Sequence, residues 1–159
     1  MDNVIVIAGP TASGKTRISI ELALRIGGEI ISADSMQVYK YMDIGTAKPT
    51  VEERMGIKHY LIDEITPEQE FSVASFRILA MKYIDEIIGR NRVPIVVGGT
   101  GLYINSLIYN IKFTEIKTDK AMRKGLENIA SEKGNKYLHD MLTGIDPETA
   151  AKIHVNDTR

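Results

Sequence analysis

The sequence contains no cysteine. That excludes disulfides and thiolate metal centres and fits a reducing compartment. Its three histidines are scattered, without metal-ligand spacing, so a transition-metal site is not expected. Neither sign of charge is in excess: 20 Lys plus Arg stand against 21 Asp plus Glu, a formal net charge of -1. No global positive field therefore draws the chain to nucleic acid or to an anionic membrane, although a local basic patch is compatible with this balance. No apolar run reaches the roughly 18 residues of a membrane span. The N-terminal MDNVIVIAG lacks the basic flank and cleavage site of a signal peptide. There is no internal repeat and no low-complexity tract. A cytoplasmic protein with no membrane partner is expected, and a monomer is the default.

What is present suits a folded α/β protein. The 159 residues are 43% hydrophobic and 26% charged, enough for one core domain and a short appendage. Residues 4–8 are an unbroken apolar run, as expected of a strand buried on both faces in a parallel sheet. A glycine loop follows, then a helix over 15–26 with Ile18, Leu22 and Ile26 on one face, ended by Gly27 and Gly28. Residues 29–33 read as a second strand delivering Asp34 at its carboxyl end, and residues 59–62 as a third.

Residues 72–89 carry Val73, Phe76, Ala80, Tyr83 and Ile87 at helical spacing, with Phe76 and Tyr83 expected in the core. A further strand begins at Val93, with Pro94 near its start where a missing N–H is tolerated. A second glycine loop, 98–101, leads into a helix over 102–109. Beyond residue 111 strand-like runs stop, and 119–133, 136–142 and 147–153 read as short helices. The expected fold is α/β, a P-loop NTPase-like parallel sheet flanked by helices over 1–111, with a helical appendage over 112–159.

The strongest motif is GPTASGKT: Gly9, Pro10, Thr11, Ala12, Ser13, Gly14, Lys15 and Thr16. It satisfies GxxxxGK[ST] between an expected strand and an expected helix, which is the context that gives the motif meaning. Glycines let backbone N–H groups turn toward phosphate oxygens, the helix N-terminus adds partial positive charge, and Lys15 adds a full one. The Thr16 hydroxyl is placed to hold Mg2+ between two phosphates. By itself the loop serves a kinase using ATP, a nucleotide hydrolase, a binding switch or an enzyme holding another phosphate compound.

Asp34 is a candidate general base or a magnesium ligand through water, with capping of the following turn as the plainer role. Thr100, in GGTGLY, either directs its hydroxyl into the same crevice or caps the next helix. The strand VPIVVGG ends in glycine where a nucleotide hydrolase carries a magnesium-binding aspartate, which counts against an ATPase or GTPase. Lys120, Arg123 and Lys124 form a basic helical stretch, most simply a solvated face. His154 has no metal-ligand neighbours in the sequence.

Taken in order, GPTASGKT, ISADSMQVYKYMDIGTAKP, FSVASF, VVGGTGLYI and DPETAAKIHVNDTR resemble the tRNA dimethylallyltransferases, also called tRNA isopentenyltransferases, over nearly the whole chain. The second string is the most distinctive. The resemblance implies transfer of a dimethylallyl group from dimethylallyl diphosphate to the N6 amine of the adenosine 3′-adjacent to the anticodon in tRNA. Gly9 to Thr16 would hold the diphosphate leaving group, with Mg2+ at Thr16 and Asp34 as base.

By the same resemblance Asp34, Ser35, Met36 and Gln37 would lie at the target base, with Thr100 and Arg123 also on tRNA and Thr100 counted with Asp34 among the catalytic residues. The family's HPND reads His154-Val155-Asn156-Asp157 here, a departure at that turn. The chain stops at Arg159 inside a motif-like string, so a truncated polypeptide is expected. A small-molecule P-loop kinase using ATP is the alternative, though it has no evident need for the segment that starts at Asp34.

Overall fold

The computed structural model describes residues 4–109, 111 and 119–158. Two compact units are present, Met1–Phe113 and Thr114–Arg159. The first contains β1 (Ile5–Ala8), α1 (Lys15–Ile26), β2 (Gly28–Ser32), β3 (His59–Tyr60), α2 (Val73–Gly89), β4 (Val93–Gly98) and α3 (Gly101–Ile108). Its four strands pair in the order β1-β4-β2-β3, all parallel. The third strand is thus shorter than the expected 59–62, because pairing with β2 ends at Tyr60.

Side chains alternate across the two central strands. Ile30, Ile95 and Val97 pack with Ile20 and Ala23 of α1 on one face. On the other, Ile31 and Val96 join Phe76, Ala80, Ile84 and Ile87 of α2 and Tyr103 and Ile104 of α3. The Phe76 and Tyr103 rings stack with centroids 4.2 Å apart. Ser72 caps α2, its hydroxyl accepting from Ser75 N–H at 3.1 Å. Pro94 lies one residue before the β1 ladder, which begins at the Ile5 and Ile95 pair.

Two expectations from the sequence are corrected here. Residues 4–8 do not form a strand buried on both faces: among the described residues β1 is an edge strand, and Val4 and Val6 are 38% and 36% exposed. Ile5 and Ile7 pack toward α1, whereas the α2–α3 layer centres on β2 and β4. Of the expected inward face of α1, Ile18, Leu22 and Ile26, only Leu22 packs against the core. Ser19, Ile20 and Ala23 are buried, while Ile18 is 52% exposed. Small side chains at Ser19 and Ala23 allow close approach of helix to sheet, which apolar spacing alone cannot reveal.

The second unit consists of α4 (Lys120–Lys133), α5 (Asn135–Ile145) and α6 (Pro147–Ala150). Asp119 caps α4 through its carboxylate, accepting from Ala121 and Met122 N–H at 3.0 Å each. Asp146 caps α6 in the same way at Thr149. His139 Nε2 lies 3.1 and 3.0 Å from the carbonyls of Ala150 and Ile153 and so ties the end of the unit to α5. The expected boundary at 111/112 borders residues 112–118; these and Arg159 lie outside the described residues.

Candidate phosphate-binding site

The glycine loop runs from the carboxyl end of β1 into α1. Gly14 is the N-cap of α1 at φ 81°, ψ 9°, a left-handed geometry that costs little only without a Cβ. No side chain caps α1, and no acidic residue occupies its first turn. The first amides therefore remain available to an anion at the positive end of the helix. Ala12 also has a left-handed φ of 59°, a strained state for a residue with a side chain. Around it, Ser13 Oγ donates to the Pro10 carbonyl at 2.8 Å, and the Lys15 ammonium donates to the same carbonyl and to Ser13 Oγ. Thr16 accepts from Ser19 Oγ with its carbonyl. Among the described residues nothing hydrogen-bonds the Thr16 hydroxyl.

Asp34 follows β2 and is half-buried. Its Oδ1 accepts from the N–H groups of Met36 at 2.9 Å and Gln37 at 3.3 Å, so the turn-capping role is present. Its Oδ2 has no hydrogen-bond partner among the described residues. One carboxylate thus both fixes its turn and keeps an oxygen for other chemistry. Thr100 does not cap α3 with its side chain; its Oγ1 accepts from Ser35 N–H at 3.1 Å, linking the two loops at this sheet edge. Met36 is 44% exposed. The Gln37 carboxamide is fully engaged within the protein: Oε1 accepts from Ser32 Oγ at 2.9 Å, and Nε2 donates to the carbonyls of Thr46 and Ala47, both at 3.1 Å.

These residues surround one cavity. Thr11, Ala12, Lys15 and Thr16 line it from the glycine loop, Ser32, Asp34 and Gln37 from the end of β2, and Ala47 and Pro49 from the following segment. Gly98, Gly99 and His59 complete it. His59 Nδ1 lies 2.8 Å from the Ile57 carbonyl, so Nδ1 carries the hydrogen and Nε2 is the acceptor in the neutral ring. Burial depresses the His59 pKa, opposed by the Ile57 hydrogen bond and aided by the Arg54 charge. A second cavity borders the same loop, lined by Gly14, Arg17 and Ile20 with Glu52, Glu53 and Met55.

Gly98 has a steric cause. A Cβ there would lie 2.1 Å from the Ala33 carbonyl oxygen, an oxygen that accepts from Thr100 N–H at 3.2 Å. Any side chain at position 98, an aspartate included, would collide with that backbone unless it shifted.

Of the expected site residues from Gly9 to Thr16, Thr11, Ala12, Lys15 and Thr16 meet Asp34 and Gln37 at one cavity, with Ser35 and Thr100 beside it, whereas Gly9, Pro10, Ser13 and Gly14 do not line it. Arg123 belongs to the second unit, on an exposed face of α4, its Nε 3.2 Å from Glu127 Oε1. Lys120 opens α4, its side chain outside the described residues. At the altered HPND position a turn still forms: His154 accepts from Asn156 N–H at Nδ1, 3.2 Å, and from Asp157 N–H at its carbonyl, 2.8 Å. Reasoning from sequence did not single out Ser32, Ala47, Pro49 or His59. Ser32, Ala47 and Pro49 do lie within the distinctive string that runs from Ile31 to Pro49, but that string does not say which of its residues face the cavity, and His59 reaches it from a separate strand.

A parallel sheet with a glycine loop gripping the start of α1, and a carboxylate at the next strand end, defines a P-loop protein of NTPase-like fold. The IPP transferase family profile matches residues 37–159, and the chain belongs to that family. It is 66% identical over 159 residues to a tRNA dimethylallyltransferase of Acetivibrio thermocellus, covering all of this chain and 51% of that protein. The full-length tRNA isopentenylpyrophosphate transferase of Bacillus halodurans has a similar structure, with TM-score 0.71 and 50% identity over 100% of this chain and 52% of that one. A eukaryotic dimethylallyltransferase acting on tRNA matches with TM-score 0.84 and 38% identity, over 100% of this chain and 39% of that one. The chain spans about half the length of the curated relatives it matches. Among the described residues, no helix is long and apolar enough to cross a membrane.

Proposed function

We propose that this chain carries the donor and base site of an enzyme that moves a dimethylallyl group from dimethylallyl diphosphate to the N6 amine of the adenosine 3′-adjacent to the anticodon in tRNA. The observation that carries it is the meeting of Lys15, Thr16 and Asp34 at one cavity in a member of the IPP transferase family. The adenine N6 lone pair attacks C1 of the dimethylallyl group, and the C1–O bond breaks with its electron pair leaving on diphosphate. The nitrogen loses a proton to Asp34 Oδ2, the carboxylate oxygen not used in the turn. Negative charge grows on the departing diphosphate, where the α1 amides and Lys15 stabilise it.

The Thr16 hydroxyl borders the cavity without a protein partner among the described residues, a hard oxygen suited to Mg2+. Bound there with the diphosphate oxygens, Mg2+ would supply further charge neutralisation to the leaving group. Ser35, Met36 and Thr100 form the edge where the target base would arrive. The internal bonds of Gln37 assign it first to holding the cavity wall. Arg123 lies on a solvated helix face and would contact the tRNA backbone as a charge.

The test is incubation of the full-length polypeptide with labelled dimethylallyl diphosphate, Mg2+ and unmodified tRNA. Label should enter the RNA and diphosphate should be released. Consumption of ATP with a small acceptor, and no transfer to tRNA, would instead establish a kinase.

A further inference from the structure

Lys48 has no role in the chemistry above, yet its side chain is 5% exposed in a segment that is otherwise largely solvent-facing. Its Nζ donates to the Tyr39 carbonyl at 2.6 Å, to Asp43 Oδ1 at 2.9 Å and to Asp63 Oδ1 at 2.6 Å. An ammonium has three hydrogens, and each is used. Burial alone would lower its pKa, but the hydrogen bonds and charges of Asp63 and Asp43 outweigh this and hold it above the usual lysine value.

The three acceptors come from two separate stretches of chain. Tyr39 and Asp43 belong to the segment that leaves Asp34, and Asp63 to the one that follows β3. Those two stretches are also joined by backbone bonds: Asp63 N–H to the Gln37 carbonyl at 3.1 Å, Glu64 N–H to Val38 at 2.8 Å and Lys40 N–H to Ile65 at 2.8 Å. Lys48 adds residues 46–49 to this frame from one side, and Gln37 Nε2 holds the Thr46 and Ala47 carbonyls from the other. Between the two clamps, Ala47 sits at φ 49°, a left-handed state that a residue with a Cβ keeps only when its surroundings impose it. Ala47 and Pro49 form cavity wall together with Lys15 and Thr16.

We infer that Lys48 is a positioning residue for the donor site: its ammonium pins residues 46–49 so that Ala47 and Pro49 close the cavity against the glycine loop and meet the organic part of an organic diphosphate. The inference rests on the proposed diphosphate site. It separates two contacts, because the glycine loop grips phosphate without the wall, whereas the wall contributes only when the ligand carries more than phosphate.

The experiment titrates the chain, with Mg2+, against inorganic diphosphate and against dimethylallyl diphosphate, for the wild type and for Lys48→Met. The Met variant should bind inorganic diphosphate within about 2-fold of wild type and dimethylallyl diphosphate about 10-fold more weakly. Equal affinities for both probes, or a parallel loss of both as a general structural defect would produce, overturn the role of Lys48 while leaving the site intact. A wild type that binds neither probe overturns the diphosphate site, and this inference with it. If Lys48→Met does not fold, Asp63→Asn replaces it. Asp63 has φ 55°, which Asn tolerates as well as Asp does, so that change removes only the charge. A selective loss of about 3-fold for dimethylallyl diphosphate is expected there, and none overturns the inference.

Discussion

Gly98 and Ala33 touch backbone to backbone: a Cβ built on Gly98 would stand 2.1 Å from the Ala33 oxygen and 2.4 Å from its carbonyl carbon. This contact brings the ends of β2 and β4 together, and with them Asp34 and the second glycine loop. Gly98→Ala should cost about 3 kcal/mol, since the obstructing atoms are backbone and cannot rotate away. Gly101→Ala, with nothing within 4 Å of its Cβ, should be neutral or stabilising by up to about 1 kcal/mol. Urea unfolding of both variants measures the contrast, and equal midpoints would refute it.

Among the described residues Lys15 hydrogen-bonds only to exposed atoms of its own loop. Lys15→Ala should therefore leave the fold unchanged by circular dichroism while weakening inorganic diphosphate binding about 10- to 100-fold, the loss expected for a charge-assisted hydrogen bond. Calorimetric titration with Mg2+ present gives the number; undiminished affinity would remove Lys15 from the site.

Asp34 separates its two tasks by oxygen. Asp34→Asn keeps an acceptor for the Met36 and Gln37 amides and removes the base, so stability should hold within about 0.5 kcal/mol while turnover by the full-length polypeptide falls about 100- to 10,000-fold. Asp34→Ala should lose similar turnover and in addition about 1 kcal/mol of stability. Single-turnover transfer assays beside thermal melts distinguish the two, and full activity in the Asn variant would exclude Asp34 as the base.

Glu29 is buried at the base of β2, 2.7 Å from the Tyr60 hydroxyl, 2.9 Å from Arg90 and 3.5 Å from Arg92. Burial pushes its pKa up, but the hydrogen bonds from Tyr60 and Arg90 and the charges of Arg90 and Lys58 prevail and hold it below the usual carboxylate range. The folded state thus binds the proton less readily than the unfolded chain. The stabilisation is complete above the unfolded value, about pH 4.3 for Glu, and is lost as pH falls through the lower folded one. Glu29→Gln should flatten that acid limb of a urea-midpoint profile. An unchanged acid limb would show that Glu29 does not set it.

The sequence alone determined the order of the principal elements, because buried strands, helical apolar spacing and Gly-rich ends act over a few neighbouring residues. The glycine loop was legible for the same reason: Gly14, Lys15 and Thr16 work within a single turn. Asp34 could be placed at a strand end but not divided into a capping oxygen and a remaining one.

Only the tertiary structure decided which faces were covered and what met whom. Val4 and Val6 belong to an apolar run that reads as interior, yet edge position in the sheet leaves them partly open. Gln37 is expected by resemblance at the target base, and in the fold its amide is bonded to Ser32, Thr46 and Ala47. Nothing local marks Lys48, yet its side chain is 5% exposed, because acceptors up to fifteen residues away converge on it. Local pattern fixes what a residue can donate or accept; the packing of separate chain segments decides whether water or protein takes the other half of the bond.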